Sequence, residues 1–125
     1  MGPLRMLIAM LLLPAAACDR KVEVDHPFYL WSIESSEETA LFRCPQGPDE
    51  GCAIDGLPGP RVFAAGADKK HVVVASTQGY FYFARVPNET GGWGANPEKI
   101  IGPLTEEEFA SAKQQLALPD FTVEP

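Results

Sequence analysis

The chain is short of the residues that do chemistry. Its 125 residues include 2 histidines, 3 cysteines and 10 lysines and arginines, set against 17 aspartates and glutamates. No Gly-x-Ser-x-Gly, no His-Glu-x-x-His and no glycine-rich phosphate loop leading into a helix is present, so the usual hydrolase, zinc-protease and nucleotide-binding signatures are missing. His26 precedes Pro27 and His71 enters a strand-like run, which suits structural or surface histidines better than a general base. No catalytic residue, metal ligand or cofactor is therefore assigned. The deficit of positive charge also disfavours nucleic-acid binding, because an acidic surface repels phosphate backbones.

Long apolar runs are scarce as well. The longest, Met6 to Leu13, follows Arg5 and leads through Pro14 and three alanines to Cys18. A spanning helix needs roughly 20 predominantly apolar residues, and this run is broken at Pro14 and followed by Asp19, Arg20 and Lys21. One basic residue, a short apolar core and small residues before a cut form a secretory signal, and a cysteine at the cut resembles a bacterial lipobox. Residues 1–17 are then a leader, and Cys18 becomes an acylated N-terminus that ties the protein to a bacterial membrane on its periplasmic or extracellular side. Plain cleavage after Ala17 is the alternative, since Ala15 stands where a lipobox usually has leucine. Asp19 resembles an inner-membrane retention signal but does not by itself select the membrane.

Removing 17 leader residues from 125 leaves 108, enough for one core and too few for two domains. Since Arg5 is the leader's only charge, the remainder keeps nine basic residues against 17 acidic ones, a net −8. Such a domain has no electrostatic reason to bind anionic lipid, so acyl chains would have to hold it. Setting Cys18 aside leaves Cys44 and Cys52, an even pair that closes in an oxidising compartment. The seven residues between them include two prolines and two glycines, suited to a tight loop. The spacing matches neither a zinc site nor a Cys-x-x-Cys redox motif.

Residues 19–27 are charged and poor in large apolar groups, and read as a tether within an N-terminal segment 18–27. The domain proper is predicted over 28–125. Strand composition marks residues 28–34, 39–44, 61–65, 70–76, 79–86 and 98–102. Tyr80 and Tyr82 fall on one face of their strand, Phe81 and Phe83 on the other. Thr105-Glu-Glu-Glu108 fits a capping box, after which Phe109, Ala112 and Leu116 form an apolar stripe, with Pro119 as the stop. The expected fold is α+β: a small antiparallel sheet of five to seven short strands and one C-terminal helix packed on it.

The loop at 87–97 sets Trp93 among glycines, between Asn88 and Asn96. Its length and aromatic tip make these three residues the candidate partner-binding surface, against the competing reading that Trp93 covers the core edge. The sequon at Asn88 carries no weight in a bacterial envelope protein.

Around its C-terminal portion the chain resembles the small bacterial lipoproteins described only as a domain of unknown function, the DUF3997-like group. The shared element is a hairpin and short strand giving way to a Gly-Pro-Leu-Thr-Glu-Glu-Glu-Phe helix start, here Gly102 to Phe109, within residues 62–118. The resemblance implies a small membrane-tethered domain. It brings no activity, no cofactor and no functional residues, and it assigns neither the Cys44/Cys52 loop nor the Trp93 loop. The expected role is a lipid-anchored envelope binding or accessory module without catalysis, facing a protein partner. Two other classes stay open: an immunity or inhibitor lipoprotein that masks a basic enzyme, and a small envelope enzyme in which His26 or His71 meets a carboxylate.

Overall fold

The computed structural model describes residues 20–32, 36–52, 58–86 and 99–125. Within them, seven strands form two antiparallel sheets. The first has the order β1-β2-β3, from Arg20–Asp25, Phe28–Ser32 and Ala40–Arg43. The second has the order β4-β5-β6-β7, from Val62–Ala67, His71–Ser76, Gly79–Ala84 and Ile101–Leu104. One α-helix, α1, spans Glu106–Leu116. The fold is thus α+β, but the strands are divided between two layers, where the composition predicted one sheet.

Side-chain alternation builds the layers. On β2, Phe28 and Leu30 point into the space between the sheets, where they meet Leu41 of β3 and Val62, Ala65, Val72, Val74, Phe81 and Phe83 of the second sheet. Phe28 and Phe83 are fully buried and pack edge to face with ring centroids 5.4 Å apart. Successive residues of a strand face opposite sides, so the opposite face of β5 and β6 presents Val73, Tyr80 and Tyr82. There they meet Phe109, Ala112 and Leu118 from the helix and its exit. Phe109 stacks on Tyr80 at 5.0 Å and on Phe121 at 5.5 Å. The near-continuous apolar composition of β5 and β6 follows, because both of their faces are covered.

The first strand corrects an expectation. Arg20–Asp25 lies in the segment read as a tether, yet it pairs with β2 from Arg20↔Ser32 to Asp25↔Phe28. Its charged residues hide the alternation of Val22 and Val24, and Val24 packs on the main core. The register shifts between Glu23 and Asp25. A bulge of this kind re-aims the residue after it, and Asp25 pairs across the sheets with Arg85, Nη1 to Oδ2 at 2.5 Å. Arg85 also donates to the carbonyls of His26 and Asp68, each at 3.0 Å, and its guanidinium sits 5.5 Å from the Phe28 ring centroid. One side chain thereby closes this rim of the sandwich.

The helix begins as its sequence predicts. Glu108 N–H donates to Thr105 Oγ1 at 3.1 Å, and Thr105 N–H donates to the Glu108 carboxylate at 2.9 Å. Its far end differs. The helix stops at Ala117, whose left-handed backbone (φ 56°) turns the chain two residues before Pro119. Leu118 is buried by this turn, while Leu116, the third member of the expected stripe, stays 43% exposed. Residues beyond the turn run back over the second sheet, where Val123 pairs with Ala65 on the outer edge of β4. Gly66 permits that crossing: a Cβ there would lie 1.9 Å from the Asp120 carbonyl oxygen. Covering an edge in this way also blocks pairing with other chains.

The other edge of the sheet uses a different device. β7 carries Pro103, which cannot donate to a ladder and so belongs at an edge. Gly102 before it has φ 141°, and any Cβ would meet Phe81 and the Tyr80 carbonyl at 2.6 Å. Truncating the central ring should unfold the sandwich more readily than any surface change. We expect Phe83→Ala to lower stability by about 3–5 kcal/mol in denaturant titration, and a loss below about 1 kcal/mol, typical of surface sites, would contradict this core.

Candidate functional site

The outer face of the first sheet is small and aromatic. Tyr29, Phe42 and Cys44 are buried there, with Trp31, Ala40 and Cys52 packed around them. Cys44 and Cys52 stand at disulfide distance, with sulfurs 2.17 Å apart and Cα atoms 4.1 Å apart. Turns at 44–47 and 47–50, closed by Gly47 N–H to Cys44 O and Glu50 N–H to Gly47 O, make so short a loop possible. The Cys44 N–H donates to the Pro27 carbonyl at 2.7 Å, fixing the loop to the β1–β2 turn. Trp31 packs on Phe42 at 4.9 Å, and the Lys21 ammonium sits over the indole, 4.1 Å from its centroid. Lys21 also donates to the Pro48 carbonyl. The disulfide thus serves as a lid on an aromatic patch too small to cover itself.

A shallow groove of about 360 Å³ lies on the second sheet, at its β5–β6 turn. Its lining includes Phe63, Tyr80, Ser76, Gln78, Thr105 and Glu106. Phe63 is 46% exposed because it falls in the β4 irregularity between Val62 and Ala64 and so leaves the alternation of its neighbours. The lining combines two aromatic rings, hydroxyls, an amide and one carboxylate. It suits contact with an apolar or aromatic side chain.

The two histidines lie apart from that groove. His26 is exposed, with Nδ1 3.3 Å from the Tyr29 hydroxyl. Burial, aided by the nearby Glu23 carboxylate, raises the pKa of that phenol above its ordinary value. His71 lies edge-on to Tyr82, with centroids 6.4 Å apart. Its backbone N–H and that of Lys70 both donate to Asp68 Oδ1 at 2.8 Å. Burial pushes the Asp68 carboxyl upward, but these two bonds and the charges of His71 and Lys70 outweigh it and hold the pKa below its ordinary value.

Among the described residues no group of three or more His, Cys, Asp or Glu side chains could hold a metal ion, and no helix is long and apolar enough to cross a membrane. Cys18, Asn88, Trp93 and Asn96, singled out in the sequence, lie outside the described residues. Sequence reading passed over the groove and the Lys21–Trp31 contact. The isolated Phe63 beside small residues was the available signal for the first, and the Val22/Val24 alternation for the strand that positions the second. No protein-family model, no curated protein and no solved structure matches the chain.

Two outcomes follow for stability. Replacing both Cys44 and Cys52 by serine should cost about 2–3 kcal/mol on the chain-entropy account of so short a loop, read by denaturant titration against the oxidised protein. An unchanged midpoint would contradict a closed bridge. Because the folded pKa of Asp68 is lowered, its contribution is present above the unfolded carboxylate range near about pH 4 and fades as pH falls through the folded value. The deficit of Asp68→Ala relative to the natural protein should therefore be largest at neutral pH and shrink on acidification. A deficit that grows in acid would reverse the sign.

Proposed function

We propose that the chain is a lipid-anchored binding or accessory module of the bacterial cell envelope, acylated at Cys18 after removal of residues 1–17, and that it works by holding a partner rather than by catalysis. The observation that carries this reading is the sequence of the N-terminal segment: Arg5, the apolar run from Met6 to Leu13 and the small residues that lead to Cys18. Arg20–Asp25, two residues past that cysteine, is a strand of the first sheet, so a mature chain beginning at Cys18 keeps every described strand. A disulfide-distance pair in the same chain suits an oxidising space outside the inner membrane. The net −8 makes anchoring by acyl chains the physically sufficient attachment, since a single chain binds marginally and two or more hold stably.

The partner is a protein, contacted through the loop of Asn88, Trp93 and Asn96. The resemblance of Gly102 to Phe109 to tethered lipoproteins agrees with the proposed address and adds no activity. An inhibitor or immunity role is the second reading, favoured by the acidic charge alone, and would give a complex that weakens steeply with salt.

Cys18→Ser should move the protein from the membrane fraction to the soluble fraction, and intact mass of the extracted natural protein should show the increment of acyl chains. A membrane-extracted form without that increment rejects the anchor. Trp93→Ala should weaken partner capture from crosslinked membranes while leaving the thermal transition within a few degrees. Undiminished capture rejects the loop as the surface, and a collapsed transition assigns Trp93 to the core.

A further inference from the structure

The position of β1 limits how far the first sheet can lie from Cys18. Cys18 and Arg20 are separated by two peptide links, a span of at most about 7–8 Å between Cα atoms. Lys21 pairs directly with Trp31 across the β1–β2 ladder. A chain tied at Cys18 therefore keeps the Trp31 backbone within about 15 Å of the tie, adding one more link and one strand spacing. The tie therefore keeps this end of the first sheet close to the lipid that holds Cys18.

We infer that the Lys21–Trp31 corner of the first sheet is a membrane-contact surface, seated on the headgroup region of the bilayer that holds the acyl chains of Cys18. The inference rests on the proposed acylation and specifies which part of the domain meets the lipid. Its chemistry fits that position. Trp31 is half-buried against Phe42 with the Lys21 ammonium over its ring, an aromatic body beside a cation that can reach phosphate. Tryptophan and lysine are the side chains that settle at the membrane–water interface.

Charge alone would not bring the corner there. Asp49 and Glu50, in the loop that Lys21 touches, are exposed, as are Glu37 and Glu38 beyond the end of β2. The contact is set by the short covalent tie, and it should form on zwitterionic lipid without help from anionic headgroups. The exposed Phe63 groove and the α1 layer belong to the second sheet and are no part of this corner.

The test uses acylated protein carrying Trp93→Phe, so that Trp31 is the only tryptophan, reconstituted into vesicles of phosphatidylcholine with or without brominated acyl chains. Acylation is verified by intact mass. Trp31 emission should be quenched severalfold more strongly than in a second acylated protein with twelve glycine and serine residues inserted between Asp19 and Arg20. Equal quenching of the two, or none in the protein with the natural spacing, overturns the corner as a contact while leaving the anchor intact. Absence of the acyl increment from the mass rejects the anchor, and the inference with it. Should Trp93→Phe fail to fold, Trp31→Phe in the otherwise natural chain supplies the same reading by difference: it should remove most of the lipid-dependent quenching, and undiminished quenching overturns the inference.

Discussion

The edge-to-face contact of Phe28 with Phe83 is the constraint on which the two layers depend. Each sheet is built from strands of four to six residues, and an isolated sheet of that size leaves a whole apolar face in water. Stacking removes both faces at once. Three strands of the first sheet cannot stand without the second, and the second would expose Val72, Val74, Phe81 and Phe83 without the first. Arg85 secures the rim of this contact by reaching Asp25, His26 and Asp68 together. Because its charge is shared with a carboxylate and two carbonyls, the guanidinium can lie along the Phe28 ring at modest desolvation cost.

From that packing follows the division of labour among the surfaces. The inner faces are consumed by the core, and one outer face is taken by α1 and the segment that ends at Val123. The remaining outer face is the aromatic patch closed by Cys44 and Cys52. A small domain has little apolar area to spare, and here a disulfide loop substitutes for a fourth layer. Trp31 lies beside that loop, and the Lys21–Trp31 pair stands at the end of the first sheet nearest the proposed anchor.

The hairpins β2–β3 and β5–β6 and the start of α1 were legible because their signals are local: aromatic and β-branched runs, a two-residue turn at Thr77 and Gln78, and a capping box four residues long. What escaped depends on distant partners. In Arg20–Asp25 four charged residues mask two valines, and only pairing with β2 reveals the strand. Division into two sheets depends on where 58–62 carries the chain, which no periodicity within β4 encodes. Leu116 matched its helical face by spacing, yet Ala117 turns the chain and Leu118 takes the buried place. The site is legible to a smaller degree: the cysteine pair could be read from count and compartment, whereas the Phe63 groove arises from a register irregularity that composition does not display.

Hydrogen exchange on the disulfide-bonded protein beginning at Cys18 reaches the central claim most directly, namely that β1 is part of the folded domain and not of a tether. Those β1 amides that bond to β2 should exchange far more slowly than unfolded peptide and should lose protection together with β2 as denaturant is raised. Exchange of the β1 amides at unfolded-chain rates, with β5 and β6 still protected, would detach the strand from the fold and contradict the account.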